Sequence, residues 1–289
     1  MWPTLTDLWG ALPPVDTHAF FVGLAFLAGG VVFFLEARRR GADDPRIYPL
    51  VAGALLGAAI LSRLGTWAQH LDPSRNLNLL EQLARGNASV LSALVGAWIG
   101  VHVAKRLTGY RARTGDLFAP AVALAMAIGR LGCFFTELPG SPTGSTWGIT
   151  LDPDAAARLH APAGVPLHPS FLYEIAFHAA AFATLWLWLR HQPIAPGEQL
   201  TLWVGAYAVF RFAVESVRGN HVAWLGLTRP QLFLLVTIPL FAARLLWLIT
   251  HDRLVQRPAP IADQITVDRW PAPPGGRPDD EWTHAAGRG

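Results

Sequence analysis

AFFVGLAFLAGGVVFFLEARRR, residues 19–40, decides the fold. Its first 17 residues, Ala19–Leu35, carry no charged side chain, and a basic cluster follows at once. A helix needs about 20 mostly apolar residues to cross roughly 30 Å of hydrocarbon. Inside lipid each backbone polar group must be bonded within its own segment, which favours helices. Six further stretches repeat the pattern: Tyr48–Trp67, Ala88–Ala104, Leu117–Phe135, Phe171–Leu189, Leu200–Val217 and Leu232–Ile249. The expected fold is therefore an all-α integral membrane protein with seven transmembrane helices. The shorter alternating segments of a membrane barrel do not occur, and no internal repeat is visible.

Composition agrees. The 289 residues are 52% hydrophobic and only 15% charged, against roughly 25% charged in soluble domains. Mean hydropathy is +0.32 and the isoelectric point is about 9.5. The basic residues stand beside apolar runs, which points to membrane topology and away from a nucleic-acid partner. With Cys133 as the single cysteine, neither an intramolecular disulfide nor a cysteine metal cluster is expected.

Orientation follows from Lys and Arg in the short connections. Arg38, Arg39, Arg40, Arg46, Lys105, Arg106, Arg111, Arg113 and Arg190 fall on one side, and Arg75, Arg85, Arg158, Arg218 and Arg229 on the other. Nine against five puts the N-terminus outside and the C-terminus in the cytoplasm. Three regions result: an exterior head over 1–17 without Lys or Arg, a seven-helix domain over 18–250, and a disordered cytoplasmic tail over 251–289. Leu77, Leu80 and Leu83 predict a short interfacial helix within 70–87.

Charges in a bilayer are costly and by default functional, with interior pairing as the structural alternative. Here they are Arg63, Arg130, Glu174, Arg211, Glu215 and Arg244, with Glu137 and His168 just beyond helix ends. The topology places all but Arg244 toward the outer surface; Arg244 is expected to snorkel to the inner one. Arg211, Glu215 and Arg218 recur at i, i+4 and i+7, so they share a helix face. Several arginines at one depth fit an anionic ligand, since guanidinium presents a planar fork of donors to phosphate. A buried Arg–Glu network that only fixes helix packing fits the same residues. His178 is expected to be a satisfied interior histidine, and Cys133 a packing residue.

The runs GRLGCFFTELPGSPTGSTWGI (129–149), HPSFLYE (168–174), YAVFRFAVESVR (207–218) and GLTRPQ (226–231) resemble, in order and spacing, the prolipoprotein diacylglyceryl transferase family. The resemblance covers roughly 60–250 and implies a multi-pass enzyme of the bacterial inner membrane. Its expected reaction moves the diacylglyceryl group of phosphatidylglycerol onto the lipobox cysteine of an exported preprolipoprotein, releasing glycerol phosphate, with no cofactor or metal. It implies catalytic roles for Arg130, Arg211, Glu215 and Glu137. It implies binding of the lipid phosphate or headgroup by Arg130, Arg211, Arg218, Arg63, His168, Tyr173 and Glu174. Two departures stand out. Cys133 and Thr136 occupy positions where the family typically has Asn. Leu91, Ser92 and Ala93 stand in place of a His-Gly-Gly element whose His is a proposed base for the thiol. The alternative is a divergent homologue that binds or transfers another anionic phospholipid group without modifying lipoproteins. A transporter would place its site nearer the midplane.

Overall fold

The computed structural model describes residues 2–67 and 76–255. All seven apolar stretches are helical. The long helices are α2 (Thr17–Arg39), α3 (Ile47–Leu64), α5 (Val90–Thr108), α6 (Gly115–Thr136), α8 (Ser170–Ala183), α9 (Glu198–Glu215) and α10 (Arg229–Thr250). Short helices α1 (Leu5–Leu8), α4 (Leu79–Arg85) and α7 (Pro153–Leu159) occupy the connections. Six of the long elements are long and apolar enough to cross a membrane, counting α8 through to His191. The remaining one, α9, has 18 residues, three of them charged: Glu198, Arg211 and Glu215. Of the short helix expected within 70–87, the described part is α4; residues 70–75 lie outside the described residues. Most of the expected tail, 256–289, lies outside the described residues.

Helix α2 packs along α6 and α3 along α5, while α6 also meets α8 and α9, and α10 covers α9. The α3–α5 seam has a clear sequence cause. Gly53 and Gly57 face Gly96 and Gly100, and a Cβ on Gly53 would lie 2.6 Å from the Gly100 carbonyl oxygen. Two small-xxx-small pairs thus let the backbones touch, the usual device where lipid supplies no hydrophobic drive between helices. Outward faces are apolar: Leu27 is 71% exposed and Leu107 81%. Contiguous surfaces of that kind suit lipid rather than water.

Helix α8 does not end cleanly. It continues as a π turn over Thr184–Trp188 and a 3₁₀ turn to His191. An antiparallel hairpin of β1 (Val222–Trp224) and β2 (Leu227–Thr228) joins α9 to α10, a small addition to the all-α expectation. Thr228 then caps α10 through a reciprocal box with Gln231.

The ionisable residues gather at both ends of the bundle, which corrects the one-sided layer read from sequence. At the end where α2 finishes and α6 begins, Glu36 is buried against Arg39 and Arg40, and Arg40 reaches Asp116 at 3.2 Å. Beside them Glu198 pairs with Arg244 and, at 3.1 Å, with Arg113. Arg244 therefore has a specific acidic partner as well as a route to the surface. Glu36, Asp116 and Glu198 went unnoticed because they sit at helix termini, where a sequence reads as loop. In the loop before α3, hydrogen bonds from Arg46 hold the Asp44 carboxyl below the usual carboxylate range.

Candidate functional site

The other end carries the candidate site. Three chain segments are stitched together there by backbone hydrogen bonds: Ser141 N–H donates to Val217 O (2.8 Å) and His168 N–H to Ser141 O (2.9 Å). Gly140 is required at this junction, because a Cβ there would lie 2.8 Å from the His168 carbonyl oxygen. Ser170 Oγ donates to Pro139 O at 3.2 Å and fixes the first turn of α8 against the same loop. The three sequence runs that hold most of the candidate residues thus meet at one place.

Glu174, just past the first turn of α8, is the hub. It is fully buried. Arg130 Nε of α6 lies 2.6 Å from its Oε2, Arg218 Nη1 lies 2.6 Å from its Oε1, and Arg211 Nε of α9 lies 3.9 Å away. The Tyr207 hydroxyl donates to Oε2 at 3.5 Å. Arg211 also pairs closely with Glu215 one helical turn along. Glu215 Oε1 in turn accepts from Asn220 Nδ2 (2.7 Å) and Thr228 Oγ1 (2.9 Å), which ties α9 to the hairpin and the start of α10. Arg218 lies over the Phe171 ring at 4.7 Å.

Three guanidiniums face two carboxylates, so the network carries one uncompensated positive charge. Each guanidinium has five N–H donors in a fixed fork, more than two carboxylates can accept. Arg218 Nε is buried and meets no acceptor among the described residues. An unpaired buried donor of this kind is expensive. The arrangement calls for one more anionic acceptor.

The other candidates fall around this hub. His168 Nδ1 and the Tyr173 hydroxyl are hydrogen-bonded at 3.2 Å, with the Trp147 ring edge-on to the imidazole. They adjoin Glu174 in sequence but form a separate pair. Arg63 donates to the Gly86 carbonyl at 3.0 Å, bracing the connection between α3 and α5. No contact links it to the Glu174 network among the described residues. Glu137 caps the end of α6 and lies 3.8 Å from His18 Nδ1. His178 is interior, as expected, but neither ring nitrogen finds a hydrogen-bond partner among the described residues.

Four members of the site escaped sequence reading. Tyr207 is four residues before Arg211, so it shares that helix face, and this signal was available. Thr228 lies inside the quoted GLTRPQ run. Asn220 and His18 left no local signal.

Cys133 links the hub to the rim. Its Sγ is 3.8 Å from Arg130 Nη1 and 3.9 Å from His18 Nδ1. His18, Cys133 and Glu137 each present a ligand atom within 4.8 Å of the others. That spacing could admit a cation, but the Arg130 guanidinium beside the sulfur opposes a second positive centre there.

Fold and site together define a helical membrane protein with a buried, net-positive cluster of arginines at one end. The sequence model of the prolipoprotein diacylglyceryl transferase family matches residues 3–250, and the chain belongs to that family. A Pseudomonas fluorescens protein named phosphatidylglycerol–prolipoprotein diacylglyceryl transferase is 31% identical over 271 residues, covering 86% of this chain and 96% of its own length. A Pseudomonas putida protein of the same name is 30% identical over 279 residues, covering 89% and 99%. A Clostridium perfringens relative, named as enzyme 2 of that activity, is 26% identical over 232 residues, covering 78% and 87%.

Proposed function

We propose that this chain is a phosphatidylglycerol–prolipoprotein diacylglyceryl transferase of the bacterial inner membrane. The observation that carries the reading is the buried network around Glu174, whose one spare positive charge matches the single negative charge of a phosphodiester. The names of the relatives supply the reaction. Arg130, Arg211 and Arg218 bind the phosphate of phosphatidylglycerol. Glu174 and Glu215 hold those guanidiniums in place rather than touching the anion themselves. His168 and Tyr173 line the entrance beside them, and Glu137 stands at the rim where the acceptor enters. Arg63 braces the α3–α5 connection.

The acceptor is the lipobox cysteine of an exported preprolipoprotein, with no nucleic acid involved. Its sulfur attacks the glycerol carbon, the C–O bond to phosphate breaks, and the charge collects on the leaving glycerol phosphate. Fixed guanidiniums around that phosphate stabilise charge as it develops, without reorganisation at the moment of reaction. The network is buried, which strengthens each interaction.

Under this reading α9 spans the membrane as a seventh helix, its charges tolerated because they face the bundle interior. The head over 1–17 is exterior, 18–250 forms the membrane domain, and the C-terminal tail is cytoplasmic. Trp2 N–H donates to Phe135 O at 2.9 Å, which holds the head at the site end. The divergent alternative, an anionic-lipid protein that leaves lipoproteins alone, draws on α5: Ser92 and its neighbours offer no imidazole, and His102 hydrogen-bonds its own helix at the Trp98 carbonyl.

The test is direct. The chain, reconstituted in phosphatidylglycerol vesicles, should transfer the diacylglyceryl group to a lipobox peptide, and it should restore lipoprotein maturation in bacteria depleted of their own enzyme. Good membrane expression without either outcome would leave only the lipid-binding alternative.

A further inference from the structure

A thiol is a poor nucleophile until it loses its proton, and the two carboxylates of the arginine network are buried in ion pairs with its guanidiniums. The phosphate-binding reading above therefore leaves the acceptor side of the reaction without a base. Three histidines do not fill the gap. His178 is sealed in the interior, His168 is engaged with Tyr173, and His102 is bonded to its own helix.

We propose that His18, in the first turn of α2, takes the proton of the incoming cysteine thiol, with Glu137 orienting its ring. The inference rests on the transferase reading and deepens it.

His18 is held firmly although its side chain is open. Asp16 Oδ1 accepts from Ala19 N–H at 2.7 Å and caps α2 just before it. The absent Cβ of Gly132 lets the backbones approach: a Cβ there would sit 3.2 Å from both Cα and O of His18. Phe21 and Phe135 stack at 5.5 Å and close the same contact one turn on. The imidazole itself remains 42% exposed, and the Glu137 carboxylate 46%. A substrate can reach both.

The ring faces two neighbours on α6. Nδ1 lies 3.8 Å from Glu137 Oε1 and 3.9 Å from Cys133 Sγ. A carboxylate at Nδ1 selects the tautomer that leaves Nε2 as the basic nitrogen and stabilises the imidazolium that forms. The contact is long, as such contacts often are before substrate binds. Arg130 Nη1 reaches the same sulfur at 3.8 Å, so the base and the phosphate-binding guanidinium are separated by one small side chain. A thiol activated by His18 would thus lie on one side of the glycerol carbon, with the leaving phosphate held on the other.

The step balances. The S–H bond breaks and its proton goes to His18 Nε2. The sulfur electron pair forms the C–S bond at the glycerol carbon, and the C–O pair departs with glycerol phosphate. The imidazolium then returns its proton to that phosphate or to water. Glu137 alone is too weak a base for a thiol, whereas histidine operates near neutral pH. The titratable and charged groups facing His18 are Glu137, Cys133 and Arg130 from α6, with Asp16 at its own cap.

The experiment uses the full chain in phosphatidylglycerol vesicles with a synthetic lipobox peptide. His18→Asn should lower kcat at pH 7 by about 10²–10⁴-fold, the usual contribution of a positioned base. The KM for lipid and the affinity for phosphatidylglycerol should stay within threefold of wild type. The variant's remaining rate should climb about tenfold per pH unit below the thiol pKa of about 8.5, because solution then supplies the thiolate. His18→Gln repeats the test with a different side-chain length. A His18→Asn kcat within threefold of wild type would overturn the proposal, as would a loss confined to lipid KM. Activity abolished by a chelator and restored by zinc would instead assign the cluster to a metal. An inactive wild type would overturn the transferase reading and this one together, whereas an active wild type with an active variant overturns this one alone.

Discussion

Glu174→Gln gives the sharpest test of the arginine network. The carboxylate lies 2.6 Å from both Arg130 and Arg218 and 3.9 Å from Arg211, and it is fully buried. At an effective dielectric constant of about 20, each close pair contributes roughly 4 kcal/mol of attraction, much of it offset by the desolvation of the ions. Removing one partner of a buried pair costs about 3–5 kcal/mol, because the other is left uncompensated. Here three guanidiniums would be left facing one carboxylate. Total stability is typically 5–15 kcal/mol, so the variant should fold but unfold much more readily in a detergent titration. Arg130→Gln should be milder, since Glu174 keeps Arg218 and Arg211. The double variant should recover about 1–3 kcal/mol relative to the sum of the singles, within the range expected for residues in one network. Phosphatidylglycerol should stabilise Glu174→Gln more than wild type, because the extra positive charge favours the anion. Additivity within 0.5 kcal/mol, with no gain in lipid stabilisation, would refute the idea that Glu174 organises the three arginines.

Four further outcomes are expected. Arg211→Ala should reduce phosphatidylglycerol binding, measured by lipid-dependent thermal stabilisation, at least tenfold, and unchanged binding would reduce Arg211 to a packing role. Gly57→Ala should push α3 off α5 and cost about 1–3 kcal/mol by overpacking, because its new Cβ would meet the Gly96 carbonyl oxygen. Gly30→Ala, with nothing within 4 Å, is the neutral control in the same melt. Glu198→Gln should destabilise by about 1.5–3 kcal/mol, as expected for charge-assisted hydrogen bonds, yet leave transfer intact, since its partners Arg113 and Arg244 lie at the far end; a matched loss of kcat would show coupling between the ends. A cysteine at Asp7 should react with an impermeant maleimide on intact cells, and one at Asp252 only after lysis. The reverse pattern would invert the topology.

The sequence carried the helices well because a hydrophobic stretch long enough for the bilayer is a signal that needs no tertiary knowledge. Each of the seven stretches lies on a helix, and only the ends shifted by a few residues. The identity of the costly charges was also legible, because Arg130, Arg211 and Glu215 stand within apolar runs. Their pairing was not. Glu174 lies 44 residues from both Arg130 and Arg218 in sequence, and nothing local says that one carboxylate meets both. Helix termini were the weakest point, since Glu36, Asp116 and Glu198 look like loop residues until the chain folds them into buried pairs. His18 was invisible for a similar reason. Its neighbours Cys133 and Glu137 come from a helix more than 100 residues away, and only the bare Gly132 backbone allows the approach.

That last contact also bears on how the family's chemistry could survive the loss of a residue. A reaction that displaces phosphate with a thiol has two separable demands: charge stabilisation at the leaving group and proton removal at the nucleophile. The first needs several groups fixed in a dry pocket, so it is tied to buried residues of three helices and is hard to move. The second needs one basic nitrogen within reach of an open rim, and any helix end facing that rim can supply it. The first turns of helix α5 carry no imidazole, while α2 offers His18 beside Glu137. The arginine network is thus the conservative half of the site and the rim its adaptable half. On that division, transplanting a histidine to the outer end of α5, for example Ser92→His, should restore part of the activity lost in His18→Asn. A double variant no better than His18→Asn would show that a base at this rim works from α2 alone.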